Sequence, residues 1–354
     1  MHLSQIKKIA AAATLLMCTG VVVSAAELEV VAESKLQWTG IAVTDDHKIF
    51  VNFPRWSPAV TISVARLDSL GAAQPFPSAS WNSWKMGEPV REDAFVAVQS
   101  VVRDARNRIW VLDTGNPYFM GVVAGGARLF CFSSDTGREL QRFSFGPDIA
   151  RQGTYLNDVR LDLEHDHAYI TDSGEGGLIV LDLHNGITRR LLDGHPAVLA
   201  EDTDVTIGEQ PWKIAGQTPR VHSDGIAYVP KRDHVYFQAL TGRTLYAIDA
   251  AILRDTEASA EKVAAAVKAV LKHRPVDGIL AGPDGAIYLS NLEQSAIDRW
   301  SPGAEVERLV GDERLVWPDS FSLTADGWLH VATSQIHLGP QPDTPYLVLR
   351  IKVY

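Results

Sequence analysis

The stretch Asp277–Asn291 reads DGILAGPDGAIYLSN. A polar residue leads, a small one follows, and a short apolar run ends in a Gly-Pro-Asp-Gly turn before a second run rich in β-branched and aromatic residues. Two such runs joined by a tight Asp/Gly turn form a β-hairpin. The same grammar recurs in Thr39–Asn52 (TGIAVTDDHKIFVN), Gln99–Asp113 (QSVVRDARNRIWVLD), Asn157–Asp172 (NDVRLDLEHDHAYITD), Asp224–Gln238 (DGIAYVPKRDHVYFQ) and Asp319–Thr333 (DSFSLTADGWLHVAT). The second runs suit a sheet buried on both faces, which radial repetition provides. Six copies predict an all-β fold, a six-bladed β-propeller.

Each hairpin is followed by a further strand candidate, such as Leu178–Leu183, Thr244–Ile248 and Ala296–Trp300, so a blade holds about four strands. One stretch breaks the pattern. Ala250–His273 is rich in alanine, with Val263, Val267, Val270 and Leu271 at helical spacing and Pro275 just beyond. That spacing predicts a helical insertion between blades four and five, packed on the body as a cover. The Pro-rich stretches at Pro75–Pro77 and Pro340–Pro345 fall between or after repeats, so residues 27–354 read as one domain.

Residues 1–26 read as a signal peptide: Lys7 and Lys8, an apolar run from Ile9 to Val23, then Ser24, Ala25 and Ala26 before Glu27. The expectation is export, secreted or periplasmic, with cleavage after Ala26 and no membrane attachment afterwards. Cleavage would remove Cys18 and leave Cys131 alone, without a partner for an intramolecular disulfide. At 46% hydrophobic and 21% charged residues the composition is that of a globular protein. The net charge of −10, with no dense basic block after Lys8, argues against a nucleic-acid partner and favours cationic ones.

In a propeller the leading residue of each innermost strand points to the axis. Here those residues are Thr39, Gln99, Asn157, Asp224, Asp277 and Asp319. Taken singly, an Asp beside Gly or Ser can serve an Asx turn. As a ring, three carboxylates and two amides on one small volume need a cation, a proton or hydrogen-bond donors to compensate them. They form a candidate ligand-binding site, with oxygen donors of the kind Ca²⁺ prefers. His222, two residues before Asp224, is a candidate catalytic group whose pKa nearby carboxylates would raise. Asp113 and Asp172 are expected to cap turns. Trp38, Trp56, Trp81, Trp84, Trp212 and Trp317 lie just outside the strands, where some would line a cavity and most would pack between blades. The sequence has no Cys/His zinc pattern, phosphate-cradling glycine loop or nucleophile elbow.

The segments His222–Asp249 (HSDGIAYVPKRDHVYFQALTGRTLYAID), Val276–Trp300 (VDGILAGPDGAIYLSNLEQSAIDRW) and Val316–His337 (VWPDSFSLTADGWLHVATSQIH) resemble successive blades of the major royal jelly/yellow protein family. Ile109–Gly115 and Tyr155–Leu183 match it too. The resemblance implies a six-bladed propeller, secretion, and a central cavity that in some members binds small molecules, including amines. It implies no single reaction. A more distant similarity to gluconolactonase-type propellers implies a divalent metal at the axial mouth, held by a Glu from the first blade with Asn and Asp from later ones. Asn157, Asp224 and Asp277 stand at the later positions, and Thr39 stands where that pattern has Glu. Two readings follow: a propeller that binds a small cationic or aromatic molecule at its axis, or a Ca²⁺-assisted lactone hydrolase. A structural or protein-interaction propeller is the third.

Overall fold

The computed structural model describes residues 27–339 and 342–354; the expected signal segment, residues 1–26, lies outside them. Six four-stranded antiparallel sheets follow one another along the chain, one for each repeat. Their innermost strands are Ile41–Val43, Val98–Arg103, Leu156–Asp162, Ser223–Val229, Ile279–Ala281 and Pro318–Leu323. The six-bladed propeller is therefore the observed architecture.

The hairpin turns explain why the repeats are so regular. Each inner hairpin turns through one residue at positive φ in the same position: His47, Asn107, Asp166, Asp233, Gly285 and Gly327. Gly adopts this conformation freely and Asn or Asp with little cost, which is why the repeats carry those residues there. His47 is the exception.

Blade six is completed by the other end of the chain. Glu29–Ser34 lies antiparallel on Tyr346–Lys352, with Glu29 opposite Arg350 and Ser34 opposite Tyr346. The first strand is thus the outermost strand of the last blade, which closes the ring and hides an edge. The core is a set of apolar layers between neighbouring blades; one holds Trp110, Leu129, Cys131, Leu156 and Ile170. Cys131 is a free, buried thiol, and burial pushes its pKa up to about 12, so it is inert packing.

The helical insertion departs from expectation. Helix α1 is only Ala250–Arg254 and helix α2 only Ala260–Ala266, and Lys268–Lys272 is a strand. That strand pairs with Thr244–Asp249 as the outermost strand of blade four, so the helices lie inside blade four rather than between blades four and five. The reason is local. Ser259 caps α2 by accepting from the Lys262 amide, which separates the two helices. Val267, Val270 and Leu271 look helical by spacing, but a sheet edge at Thr244–Asp249 needs a partner, and β-branched residues suit it.

Candidate functional site

The mouth at which the inner strands begin is called upper here. The strands start there with local irregularities: register shifts fall between Val98 and Ser100, Leu156 and Val159, Ser223 and Ile226, and Pro318 and Phe321. Such bulges break the two-residue alternation and re-aim a side chain. Glycine lets the strands crowd together: a Cβ on Gly225 would collide with the Asp277 carbonyl, and one on Gly278 with the Asp319 carbonyl. The strand starts of blades four, five and six are therefore in backbone contact around the axis.

All six predicted residues meet at this mouth. Thr39 Oγ1 donates to the Gln99 carbonyl at 3.3 Å, and Gln99 Nε2 donates to Asn157 Oδ1 at 3.4 Å. Asn157 Nδ2 donates to Asp224 Oδ2 at 2.7 Å. Asp224 and Asp277 lie close enough to perturb one another. Trp317 Nε1 donates to Asp277 Oδ2 at 2.7 Å, and Ser320 Oγ donates to Asp319 Oδ1 at 3.2 Å. The belt is polar, but its carboxylates are 3%, 7% and 5% exposed at Asp224, Asp277 and Asp319. Burial therefore dominates their chemistry.

Burial lifts the Asp224 carboxyl well above the ordinary carboxylate range, and the charges of Asp277, Asp319 and Asp158 add to the rise. Asp319 rises for the same reasons, burial first and then Asp277. Asp277 is pushed up to about 7 by burial, against the lowering effect of the Trp317 indole. Among the described residues none of the three forms a salt bridge, and the charges that raise them most are neighbouring carboxylates.

Aromatic residues frame the other half of the mouth. Tyr155 donates its hydroxyl to Gln99 Oε1 at 2.8 Å and accepts from Trp56 Nε1 at 2.6 Å. Phe119, 61% exposed, stacks between Tyr155 and Trp56 at centroid distances of 4.9 and 5.8 Å. Across the ring Trp317 stacks on His337 and meets Trp212 edge-on at 4.8 Å. Trp38 and Trp84 are buried packing residues, and Trp81 packs against Phe95, Phe130 and Phe132.

His222 does not behave as expected. Its Nδ1 accepts from the Ala200 amide at 2.8 Å, and desolvation lowers its pKa rather than raising it, with Asp172 opposing only in part. Burial outweighs the nearby charge, the ring is held neutral, and only Nε2 is left for chemistry. Asp113 and Asp172 fix turns as anticipated. Asp113 accepts from the Val96, Ala97 and Gly115 amides, and Asp172 from those of Tyr155 and Gly174 and from Arg190 at 2.7 Å.

Sequence reasoning overlooked Asp158 and Arg160. Asp158 accepts from Ser100 Oγ at 2.8 Å and pairs with Arg160 at 3.0 Å, below the belt. Their two-residue spacing in a strand, which puts both on one face, was the available signal. Arg160 also crosses to the Ile279 carbonyl at 2.7 Å, and Arg103 crosses to the Leu323 carbonyl at 2.6 Å. Beneath these two struts lies a cavity of about 490 Å³, walled by Val102, Val159, Leu280 and Phe321. This axial cavity thus opens at the lower mouth, below the belt that occupies the upper one.

The donors present only partly fit Ca²⁺. Asn157, Asp224 and Asp277 are near one another, but Thr39, where the gluconolactonase-type pattern has a carboxylate, brings a hydroxyl that already accepts from Asn52 at 3.0 Å. One acidic trio among the described residues, Asp162, His165 and Asp233, does bring its ligand atoms within 4.8 Å. Arg254 of α1 already fills it, bonding to Asp162 at 3.0 Å and to Asp233 at 2.6 Å.

A six-bladed propeller with an acidic, aromatic-rimmed axial mouth defines the class of protein. The chain belongs to the major royal jelly protein family, whose pattern it matches over residues 96–336. No curated protein sequence matches it. Among solved structures it is similar to a gluconolactonase from Xanthomonas campestris, at 10% identity and a TM-score of 0.58 over 95% of this chain and 94% of the other. It is also similar to regucalcin, a calcium-binding protein from Agrobacterium tumefaciens, at 12% identity and a TM-score of 0.53 over 92% and 96%. Virginiamycin B lyase from Staphylococcus aureus follows at 9% and 0.52 over 93% and 100%. At these identities the likeness is one of fold.

Proposed function

We propose that this protein binds a small organic cation with an aromatic or apolar body at the upper mouth of its axis. One observation carries the reading: Asp224, Asp277 and Asp319 are buried together, and among the described residues none of them has a salt-bridge partner. Without a ligand the cluster must hold protons. An ammonium group would supply the missing charge, and the exposed Phe119 with half-buried Trp56 beside it offers aromatic surface against which a ring could pack. Export through residues 1–26 belongs to the same proposal and rests on their sequence pattern.

The alternative, a Ca²⁺-assisted lactone hydrolase, would use Asn157, Asp224 and Asp277 to hold an ion that polarises the lactone carbonyl. Thr39 weakens this reading, since its hydroxyl replaces the carboxylate expected from blade one. Calorimetry of the purified protein against a panel of aromatic and aliphatic amines decides between the two, run alongside metal analysis of protein prepared without chelator. Amine binding without stoichiometric metal supports the proposal. Bound calcium with chelator-sensitive lactonase activity and no amine binding overturns it.

A further inference from the structure

Away from the axis, a concavity of about 510 Å³ between blades four and five is bordered by Arg243, Lys272, His273, Arg274 and Arg308. So dense a basic surface stands out on a chain of net charge −10. Asp298 lines the concavity with them, but it and the neighbouring Glu293 are largely buried. Asp298 and Glu293 have side chains 5% and 6% exposed, whereas Arg243, Arg274 and Arg308 are 35%, 46% and 42% exposed.

The buried acids act as anchors. Asp298 accepts from His273 Nε2 at 3.0 Å, Asn291 Nδ2 at 2.7 Å and Arg308 Nε at 2.5 Å. Glu293 accepts from Arg243 at 2.6 Å and from Arg274 at 3.0 Å. Lys272 donates to the Thr244 hydroxyl, and its ammonium pairs with none of the carboxylates in this cluster. Four permanent cations thus border the pocket against two largely buried carboxylates, an excess of positive charge. Anchored guanidinium groups have less conformational freedom to lose when they bind an anion, and their planar forks match tetrahedral oxyanions.

We infer that this pocket is a second binding site, specific for a phosphate or sulfate group carried by a small molecule. The volume exceeds what the bare anion needs and falls in the range of ligand pockets. The site is independent of the axial mouth in its charge, its residues and its ligand class.

Isothermal titration of the full chain with inorganic phosphate and with inorganic sulfate, at low ionic strength and with acetate as control, tests it. Phosphate or sulfate should bind more tightly than acetate. Lys272→Gln, which breaks no pairing with a carboxylate, should lower that affinity about tenfold while leaving the anion-free melting temperature unchanged. Arg308→Gln should do the same to affinity, with Lys272→Gln as the reference if Asp298 loses its support and the fold weakens. Comparison of the two anions shows which group the pocket prefers. Binding of neither anion, binding no tighter than acetate, or affinity within twofold of the original in Lys272→Gln overturns the inference.

Discussion

The two ends of the propeller axis use charge in opposite ways. At the lower end Arg160 and Arg103 reach across the channel to carbonyls of blades five and six, and Asp158 and Asp45 complete their pairing. At the upper end Asp224, Asp277 and Asp319 cluster together, raised by burial and by one another's charge, with no salt-bridge partner among the described residues. The lower charges are matched within the fold and so serve to hold it. The upper ones are unmatched, and unmatched buried charge is where a ligand of opposite sign gains most.

That contrast can be broken first at its structural end. Arg160→Met should destabilise the protein by about 3–5 kcal/mol, because it strands the buried Asp158 carboxylate. Urea denaturation measures this, and Asp158→Asn in the same chain should restore most of the loss. A loss below about 1 kcal/mol would mean that the pair contributes no more than a surface contact.

At the upper end the ranking reverses. Asp224→Asn should leave the melting temperature unchanged or raise it, while weakening binding of an organic cation by about tenfold or more. Equal affinity in the variant would remove Asp224 from the site and leave it an Asx-turn residue.

The pH dependence sharpens the same point. The folded state holds protons on Asp277, Asp224 and Asp319 that the unfolded chain has already lost, so ligand-free stability should fall as pH rises from about 5 to 7. The limiting slope is about 1.4 kcal/mol per pH unit for each proton retained. Carboxylates of opposite habit, such as Asp298, whose hydrogen bonds hold it below its usual range, are fully ionised there and do not mask the trend. Cation affinity should rise over the same interval. Thermal melts across that window check it, and a flat profile would show that the cluster is not proton-loaded.

The smallest effect is expected at His222. His222→Ala removes the acceptor for the Ala200 amide and should cost about 1 kcal/mol, with cation affinity within twofold of the original. A larger loss of affinity, at unchanged stability, would return His222 to the site.

The fold was legible because its signal is repeated: six hairpins, each with a left-handed residue at one turn position, reinforce one another. The axial residues were legible for the same reason, being the first of each repeat. The pKa of His222 was not legible because its burial and its bond to the Ala200 amide, 22 residues away, outweigh the nearby charge. Asp158 and Arg160 escaped because their partners, Ser100 and Ile279, are 58 and 119 residues away. The strand Lys268–Lys272 was hidden in an alanine-rich stretch, where a sheet edge distant in sequence outweighed local helical spacing.

The pairing of Glu29–Ser34 with Tyr346–Lys352 has a kinetic consequence. Register partners such as Glu29 and Arg350 are separated by almost the whole chain, so the ring's last seam closes only after a long loop has been drawn together. A polypeptide emerging N-terminus first must keep its opening strand unpaired until the final seven-residue strand has been made. Five blades can form while that strand waits, and the sixth sets the moment at which the protein becomes hard to unfold.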